Sequence, residues 1–297
     1  MISDGRTVWR IDALRGLVDG IRVKGKELLA SPIKLNIWRA PTDNDRKLRP
    51  AWDEALLPMA DTRCDGCEVK ENTPQRIVIR VLLTLAAPSR RPILRGELRY
   101  IFADGGLTIE QAIHVLTLSE QLGSSYVAKT PVKEACVPRL GLQFSMTEGA
   151  ERLAWFGPGP MGAYSDMHLA ARMGRYERSV TEHFEHFIHP QENLAHAGTK
   201  RFSVCTDDGA GLKITPVGDT KEISFNCSHF TPQMLDEAGY DYDLVPLKET
   251  VVNVDLLQTA IGSASCGAPV AMEERVGPGD YRYSVHLAPI YSEAEQV

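Results

Sequence analysis

Between Arg76 and Val115 the chain reads as consecutive β-strands with no helical pattern between them, and that run sets the class of fold. Arg76–Leu85 is rich in β-branched residues and partly alternating. Arg95–Phe102 follows, then Ala103-Asp104-Gly105-Gly106, then Leu107–Val115. The odd positions of Leu107–Val115 are largely apolar, the period-two signature of a strand with one wet face. Asp-Gly between two such runs is a hairpin signal, because both residues tolerate positive φ. Further strands are expected at Thr250–Leu257 and Tyr281–Leu287, the latter after the turn Gly277-Pro278-Gly279-Asp280. Helical signals are short. Pro50–Leu57 makes about two turns with Pro50 in the first. A second helix begins with Thr231 as N-cap and Pro232 at the first helical position. No strand–helix–strand rhythm supports a parallel sheet. The expectation is an all-β fold, a large antiparallel sandwich in which residues 1–297 form one domain.

Composition narrows the function. A net charge of −6 offers no basic stripe and argues against a nucleic-acid partner. No apolar run approaches the roughly 18 residues of a membrane span, and Met1–Gly5 lacks the basic and apolar parts of a signal peptide. The 6 cysteines are scattered and read as reduced thiols in a cytoplasmic protein. Cys64-x-x-Cys67 has no second pair and reads as two loop cysteines rather than a zinc or redox site. His183-x-x-His186, set among Glu182, Phe184, Glu185 and Phe187, reads as solvated polar positions between buried aromatics. No metal or cofactor is expected. Trp155 reads as core, and Trp52, on a short polar-flanked helix, as the tryptophan most open to solvent.

The densest polar motif is Trp38-Arg39-Ala40-Pro41-Thr42-Asp43-Asn44-Asp45-Arg46. Pro41 fixes its own φ and biases Ala40 away from helix. Asp43, Asn44 and Asp45 bond back to local backbone and favour turns. The segment therefore reads as a rigid loop between apolar strands. Its side chains either pair with one another or face outward and accept hydrogen bonds from a ligand.

This stretch resembles the W-x-A-P-T-D-N-D motif of the C-terminal domain of large bacterial β-galactosidases of glycoside hydrolase family two. Other segments fit the same domain in the same order. Ile21–Leu29 looks like the hairpin before the motif. Trp155–Pro160 with Tyr164-Ser165-Asp166 is similar to G-x-G-P-x-E-x-Y-x-D-R, and Gly174-Arg175-Tyr176 continues it. Ile188–Asn193 looks like P-Q-E-N-G, and Ile261–Gly267 resembles G-x-G-S-x-S-C-G-P. The chain departs from the pattern at several positions. Met167 stands for the Arg, Gly162 lies at or near the Glu, Leu194 stands for the Gly, and the last Pro is shifted to Pro269. Cys266 occupies the position where some members carry a Trp that stacks on the sugar, and a thiol has no flat stacking face.

The resemblance implies a galactose-mutarotase-like supersandwich, with its N-terminal edge trimmed a little inside the family's domain. It also implies a helper in the hydrolysis of terminal β-galactosides. In the family the catalytic glutamates sit in a separate (β/α)₈ barrel, and this chain lacks that alternation of elements. No catalytic residue is therefore expected here, and the partners are a barrel-containing β-galactosidase chain or domain and a galactoside substrate. The rim candidates are Arg39, Asp43, Asn44, Asp45, His189, Gln191, Glu192, Ser265 and Cys266. Two other functions share the fold. One is an aldose 1-epimerase, with His189 and Glu192 facing one cleft as acid and base. The other is a free-standing carbohydrate-binding module.

Overall fold

The computed structural model describes residues 1–116, 118 and 136–292. Two antiparallel sheets carry the fold. The first has the order β1 (Ile2–Ser3), β2 (Thr7–Asp12), β3 (Leu17–Val23), β5 (Leu29–Asn36), β10 (Arg139–Met146), β16 (Thr250–Gln258), β15 (Ser224–Ser228), with β4 (Lys26–Glu27) paired to β3. The second runs β12 (Arg172–Ser179), β11 (Arg152–Gly159), β13 (Arg201–Cys205), β14 (Gly211–Pro216), β17 (Gly279–Ile290), β9 (Gly106–Val115), β8 (Pro92–Ala103), β7 (Arg76–Ala86), β6 (Asp61–Asn72). The runs that alternate most clearly in the sequence are β7, β8 and β9. Asp104 (φ 53°) and Gly105 (φ 76°) make the two-residue turn between β8 and β9, with Ala103 opposite Gly106.

Strand parity decides what each face buries. On β10, Leu140, Leu142, Phe144 and Met146 enter the core between the sheets, so Arg139, Gly141 and Gln143 point the other way. The same parity puts Val252 and Val254 of β16 inside, with Asn253 and Asp255 outside. It also puts Phe225 of β15 inside and Asn226 outside, and Leu35 of β5 inside and Asn36 outside. The two sheets meet through aromatic side chains. Phe202 of β13 stacks on Phe225 at 4.3 Å between ring centroids, and Trp9 of β2 meets Phe102 of β8 edge-on at 5.8 Å. Tyr100 of β8 donates to the Gly16 carbonyl in the β2–β3 turn, 3.0 Å away.

The outer face of the first sheet is covered rather than wet. Phe184, Phe230, Pro232 and Leu235 close over Asn226 and Asn253. Pro232 and Leu235 belong to the short helix α2 (Pro232–Glu237), which begins at Thr231 as expected, with the Thr231 hydroxyl accepting from the Met234 N–H at 3.1 Å.

The structure corrects several expectations. The helix expected over Pro50–Leu57 is shorter: α1 spans Arg49–Glu54 and gives way to a 3₁₀ turn at Leu57–Met59 after Leu56 turns left-handed at φ 54°. Trp52 is fully buried, not exposed. Its indole N–H donates to the Cys136 carbonyl at 2.7 Å, and its ring meets Trp38 edge-on at 6.1 Å. α1 lies against the body of the protein, so tertiary packing overrides the polarity of its flanks. Cys64 and Cys67 lie on β6, not in a loop, with a bulge between Cys64 and Gly66. All the cysteines are free thiols.

His183 is buried, whereas Phe187 is exposed, so the reading of polar positions between buried aromatics reverses there. Residues 183–190 follow neither helix nor strand periodicity. His183 Nε2 lies 2.8 Å from His196 Nε2, and His196 Nδ1 lies 3.0 Å from the Pro158 carbonyl. His183 Nδ1 in turn lies 3.3 Å from the Cys227 carbonyl, so each imidazole faces a backbone oxygen with one nitrogen and its neighbour with the other. Trp155 packs against both rings, at 5.6 and 4.7 Å. Burial pushes His183 down to about 4, and burial together with the neighbouring His183 pushes His196 down to about 3. In the unfolded chain both imidazoles take up protons near pH 6.5. The folded state refuses those protons, so this contribution to stability is complete above pH 6.5 and declines as the pH falls toward 3. Asp255 opposes the trend. Burial raises its carboxyl to about 6, so it takes up a proton earlier when folded. Two depressed imidazoles outweigh one raised carboxyl. The unfolding free energy from urea titration is expected to fall between pH 7 and pH 5, by at most about 1.4 kcal/mol per pH unit per histidine. H196Q should flatten that slope; an unchanged slope would remove the pair as its source.

Candidate functional site

The polar loop after β5 is built around one buried ion pair. Arg39 donates to Asp45 twice, Nη1 to Oδ2 at 2.6 Å and Nη2 to Oδ1 at 3.0 Å, and both side chains have 0% exposure. Asp45 Oδ2 also accepts from the Thr42 N–H at 2.7 Å and the Thr42 hydroxyl at 3.0 Å. Arg39 Nη2 reaches the Thr259 carbonyl just beyond β16, 3.3 Å away. Burial alone would lower the Arg39 pKa; the Asp45 carboxylate more than offsets it, and the pKa is raised. Arg39 and Asp45 offer no atom to solvent, so they hold the loop rather than line a rim. Asp43 is exposed on the same loop.

Asn44 faces the other way and grips a distant segment. Its Nδ2 donates to the Gly262 carbonyl at 2.8 Å, and its Oδ1 accepts from the Ser265 N–H at 3.0 Å. Asp166 holds the same segment from the opposite side, accepting from the Gly262 N–H at 2.6 Å and the Ile261 N–H at 3.3 Å. Gly262 sits at φ 67°, and a Cβ there would lie 2.6 Å from Val270 Cγ2. The loop closes on itself through the Gly267 N–H, which donates to the Ser263 carbonyl at 2.5 Å. Ser265 is half-buried under Asn44, and Cys266 is exposed at the tip. Three motifs far apart in sequence thus meet at one loop.

The Gln191–Asn193 motif enters a different cluster, on the outer face of the first sheet. Glu192 is buried, and its Oε1 accepts from Arg139 Nη2 and Asn226 Nδ2, each at 3.1 Å. From Asn226 an amide relay crosses the sheet. Asn253 Nδ2 donates to Asn226 Oδ1 at 2.8 Å, and Asn253 Oδ1 accepts from Asn36 at 3.2 Å and Gln143 at 3.0 Å. Arg139 Nε lies 3.1 Å from Asp255 Oδ2, at an angle that makes an ion pair without a hydrogen bond. Gly141 passes so close that a Cβ there would sit 2.3 Å from Asp255 Oδ1 and 2.5 Å from the Val254 carbonyl. His189 is exposed, and Gln191, half-buried, donates weakly to the His189 carbonyl at 3.4 Å. The Glu192 carboxylate therefore lies under Arg139 and Asn226, while His189 lies in solvent. No group of three or more acids, histidines or cysteines among the described residues is arranged to hold a metal ion.

Sequence reasoning missed Arg139, Asn253 and Asp255, and gave no role to Asp166. Val252-Asn253-Val254-Asp255 carried a signal: polar residues at period two inside a strongly apolar strand mark a buried polar face. Leu194 stands where the resembling pattern has Gly, and it adopts φ 47°. A left-handed backbone there costs a non-glycine residue about 1 kcal/mol or more.

An antiparallel supersandwich whose three distant motifs converge on one small-residue loop defines the class of protein. The profile of the beta galactosidase small chain matches residues 3–287, and the chain belongs to that family. It is 28% identical over 287 residues to the beta-galactosidase of Actinobacillus pleuropneumoniae, covering 96% of this chain and 26% of that one. Against the beta-galactosidase of Staphylococcus xylosus it is 27% identical over 253 residues, 85% of this chain and 23% of that one. The chain thus spans about a quarter of the length of these relatives. Among solved structures, the GalM/aldose epimerase homologue from C. elegans has a TM-score of 0.48 and 11% identity, covering 98% of this chain and 97% of that one. A galactose mutarotase related enzyme from Lactobacillus acidophilus has a TM-score of 0.46 and 7% identity, covering 100% of this chain and 98% of that one. No helix among the described residues is long and apolar enough to cross a membrane.

Two measurements check the geometry. N44A should leave global unfolding nearly unchanged while speeding amide exchange at Gly262 and Ser265, because it removes one of two clamps on an exposed loop; unchanged exchange would mean that Asn44 does not hold it. G141A should destabilise the fold by about 1–3 kcal/mol in urea unfolding, since the β16 backbone at Val254 and Asp255 must move.

Proposed function

We propose that this chain is the accessory part of a β-galactosidase, completing the rim of an active site whose catalytic carboxylates lie in a companion barrel-containing chain or domain. The reaction served is hydrolysis of terminal β-galactosides. The observation that carries the reading is the double clamp on Gly262–Ser265 by Asn44 and Asp166, which fixes an exposed loop tip at Cys266. Family membership and the short span relative to the full-length relatives support it.

Glycoside hydrolysis needs two carboxyl groups about 5 to 9.5 Å apart flanking one bond. The acids clustered here are committed elsewhere: Asp45 to Arg39, Glu192 and Asp255 to Arg139. Asp166 is spent on backbone amides. What this chain supplies is position. A loop held at both flanks presents Cys266 and the backbone of small residues to a sugar or a facing loop at little ordering cost.

The test is complementation. The isolated chain should be silent on a chromogenic β-galactoside, and mixing or co-expression with the barrel-containing partner should give activity. N44A in the complemented enzyme should lower kcat/KM by about ten-fold or more, because a loop misplaced by about 1 Å is costly to the chemistry. Robust turnover by the isolated chain, or full activity of the companion without it, would overturn the reading.

A further inference from the structure

Cys64-x-x-Cys67 is a motif that the proposed function does not use. Residues three apart on a regular strand point to opposite faces, so the two thiols of β6 should look away from each other. The bulge reverses this. Cys64 pairs with Leu83, Gly66 with Leu82 and Cys67 with Val81, which leaves Asp65 as the extra residue. Directly opposed residues share a face of the sheet, and Leu83 and Val81 both lie in the core. Both cysteines therefore turn inward and pack against that core. Asp65 stays on the outer face, where it accepts from Arg63 Nε at 2.8 Å and from the Thr84 hydroxyl. Those two bonds hold the bulge.

The spacing of the partners decides what the pair can hold. Leu83 and Val81 are two residues apart, which sets the cysteine Cα atoms about 6.8 Å apart at the usual strand rise. That is the upper limit for a disulfide, and both thiols are free. An ion between two thiolates needs about 4.6 Å between the sulfurs, twice a metal–thiolate bond of about 2.3 Å. Two side chains on one face at this spacing can reach it. β6 is an edge strand, and both thiols are half-buried, so solvent has access. The β2–β3 turn lies over one of them: a Cβ on Gly16 would sit 3.0 Å from Cys64 Sγ. Burial pushes the Cys67 thiol up, and the neighbouring Cys64 adds to it. The thiol therefore keeps its proton until a cation displaces it.

Thiolate ligands select copper(I), zinc or iron–sulfur clusters. A structural zinc takes four ligands, and an iron–sulfur cluster takes four cysteines. Among the described residues no third or fourth histidine, cysteine or acid joins this pair in a metal-holding group. A soft cation that is satisfied by two ligands needs none. We propose that Cys64 and Cys67 form a two-coordinate site for a single soft monovalent cation of the copper(I) class. On binding, each thiol releases its proton to solvent, two sulfur–metal bonds form, and no electron is transferred.

The test is an anaerobic titration of the reduced full chain with Cu(I) in competition with bicinchoninate, and with Zn(II) in a separate arm. The chain should retain one equivalent of Cu(I) and bind Zn(II) more weakly. X-ray absorption of the loaded chain should show two sulfur neighbours and no nitrogen or oxygen. C64S and C67S should each weaken Cu(I) binding by more than about 100-fold, the most that loss of an outer-shell partner costs a metal site. C266S removes the exposed thiol at the clamped loop and should leave binding as it was. No retention against bicinchoninate, three or more ligands in the absorption spectrum, Zn(II) bound as tightly as Cu(I), loss of binding in C266S, or unchanged affinity in both C64S and C67S would overturn the site. The absorption spectrum is read on the unaltered chain, so it decides the site even where a serine variant loses its fold. Complementation of β-galactosidase activity does not depend on any of these outcomes.

Discussion

The buried pair of Arg39 and Asp45 is the contact on which the functional end of the molecule depends. A guanidinium and a carboxylate without water persist only when their geometry is good and their remaining bonds are met. The geometry is good and most of those bonds are met here: the fork is bidentate, Thr42 adds two donors to Asp45, and Arg39 reaches the Thr259 carbonyl, leaving only Arg39 Nε without a partner. Because Thr259 follows β16 directly, the pair ties the loop after β5 to the strand that leads into Gly262–Gly267. Asn44, one residue from Asp45, is aimed at that loop as a consequence. Loss of either partner leaves a buried charge uncompensated, at a cost of about 3–5 kcal/mol. The same loss releases the loop.

The second polar system works differently. Arg139 serves two carboxylates, Glu192 and Asp255, and one of those is raised to about 6 by burial. The amide relay through Asn226 and Asn253 then carries hydrogen bonding across β15, β16, β10 and β5. This network fixes the register of four strands on a face that the residue 184–194 segment and α2 cover. A polar face that is covered must be satisfied almost completely, because each failed bond is expensive in a low-dielectric interior. Its unmet atoms, Arg139 Nε and Nη1, Asp255 Oδ1 and Gln258 Oε1, lie where the start of β10 pairs with the end of β16.

Much of the fold was legible because strand alternation and turn chemistry are local. The β8–β9 hairpin follows from Asp104-Gly105, and the start of α2 follows from Thr231-Pro232. Trp52 and His183 were misread for the opposite reason. Their burial is decided by what packs over them, a carbonyl from Cys136 in one case and Trp155 with His196 in the other. Neither partner is near in sequence. The rim candidates divide in the same way. Arg39, Asp45 and Glu192 are inside, Asp43, His189 and Cys266 are outside, and residue type alone does not separate them.

The sequence by itself determined an antiparallel β-architecture, the rigid turn at Pro41–Asp45 and the motif order that marks the family. These depend on backbone preference and spacing, which neighbours along the chain impose. Only the tertiary structure decided that Asn44 and Asp166 share one loop and that Glu192 answers Arg139. Those pairings join residues from 53 to 221 positions apart, and chain closure over such distances is set by the packing of whole sheets, not by any local preference.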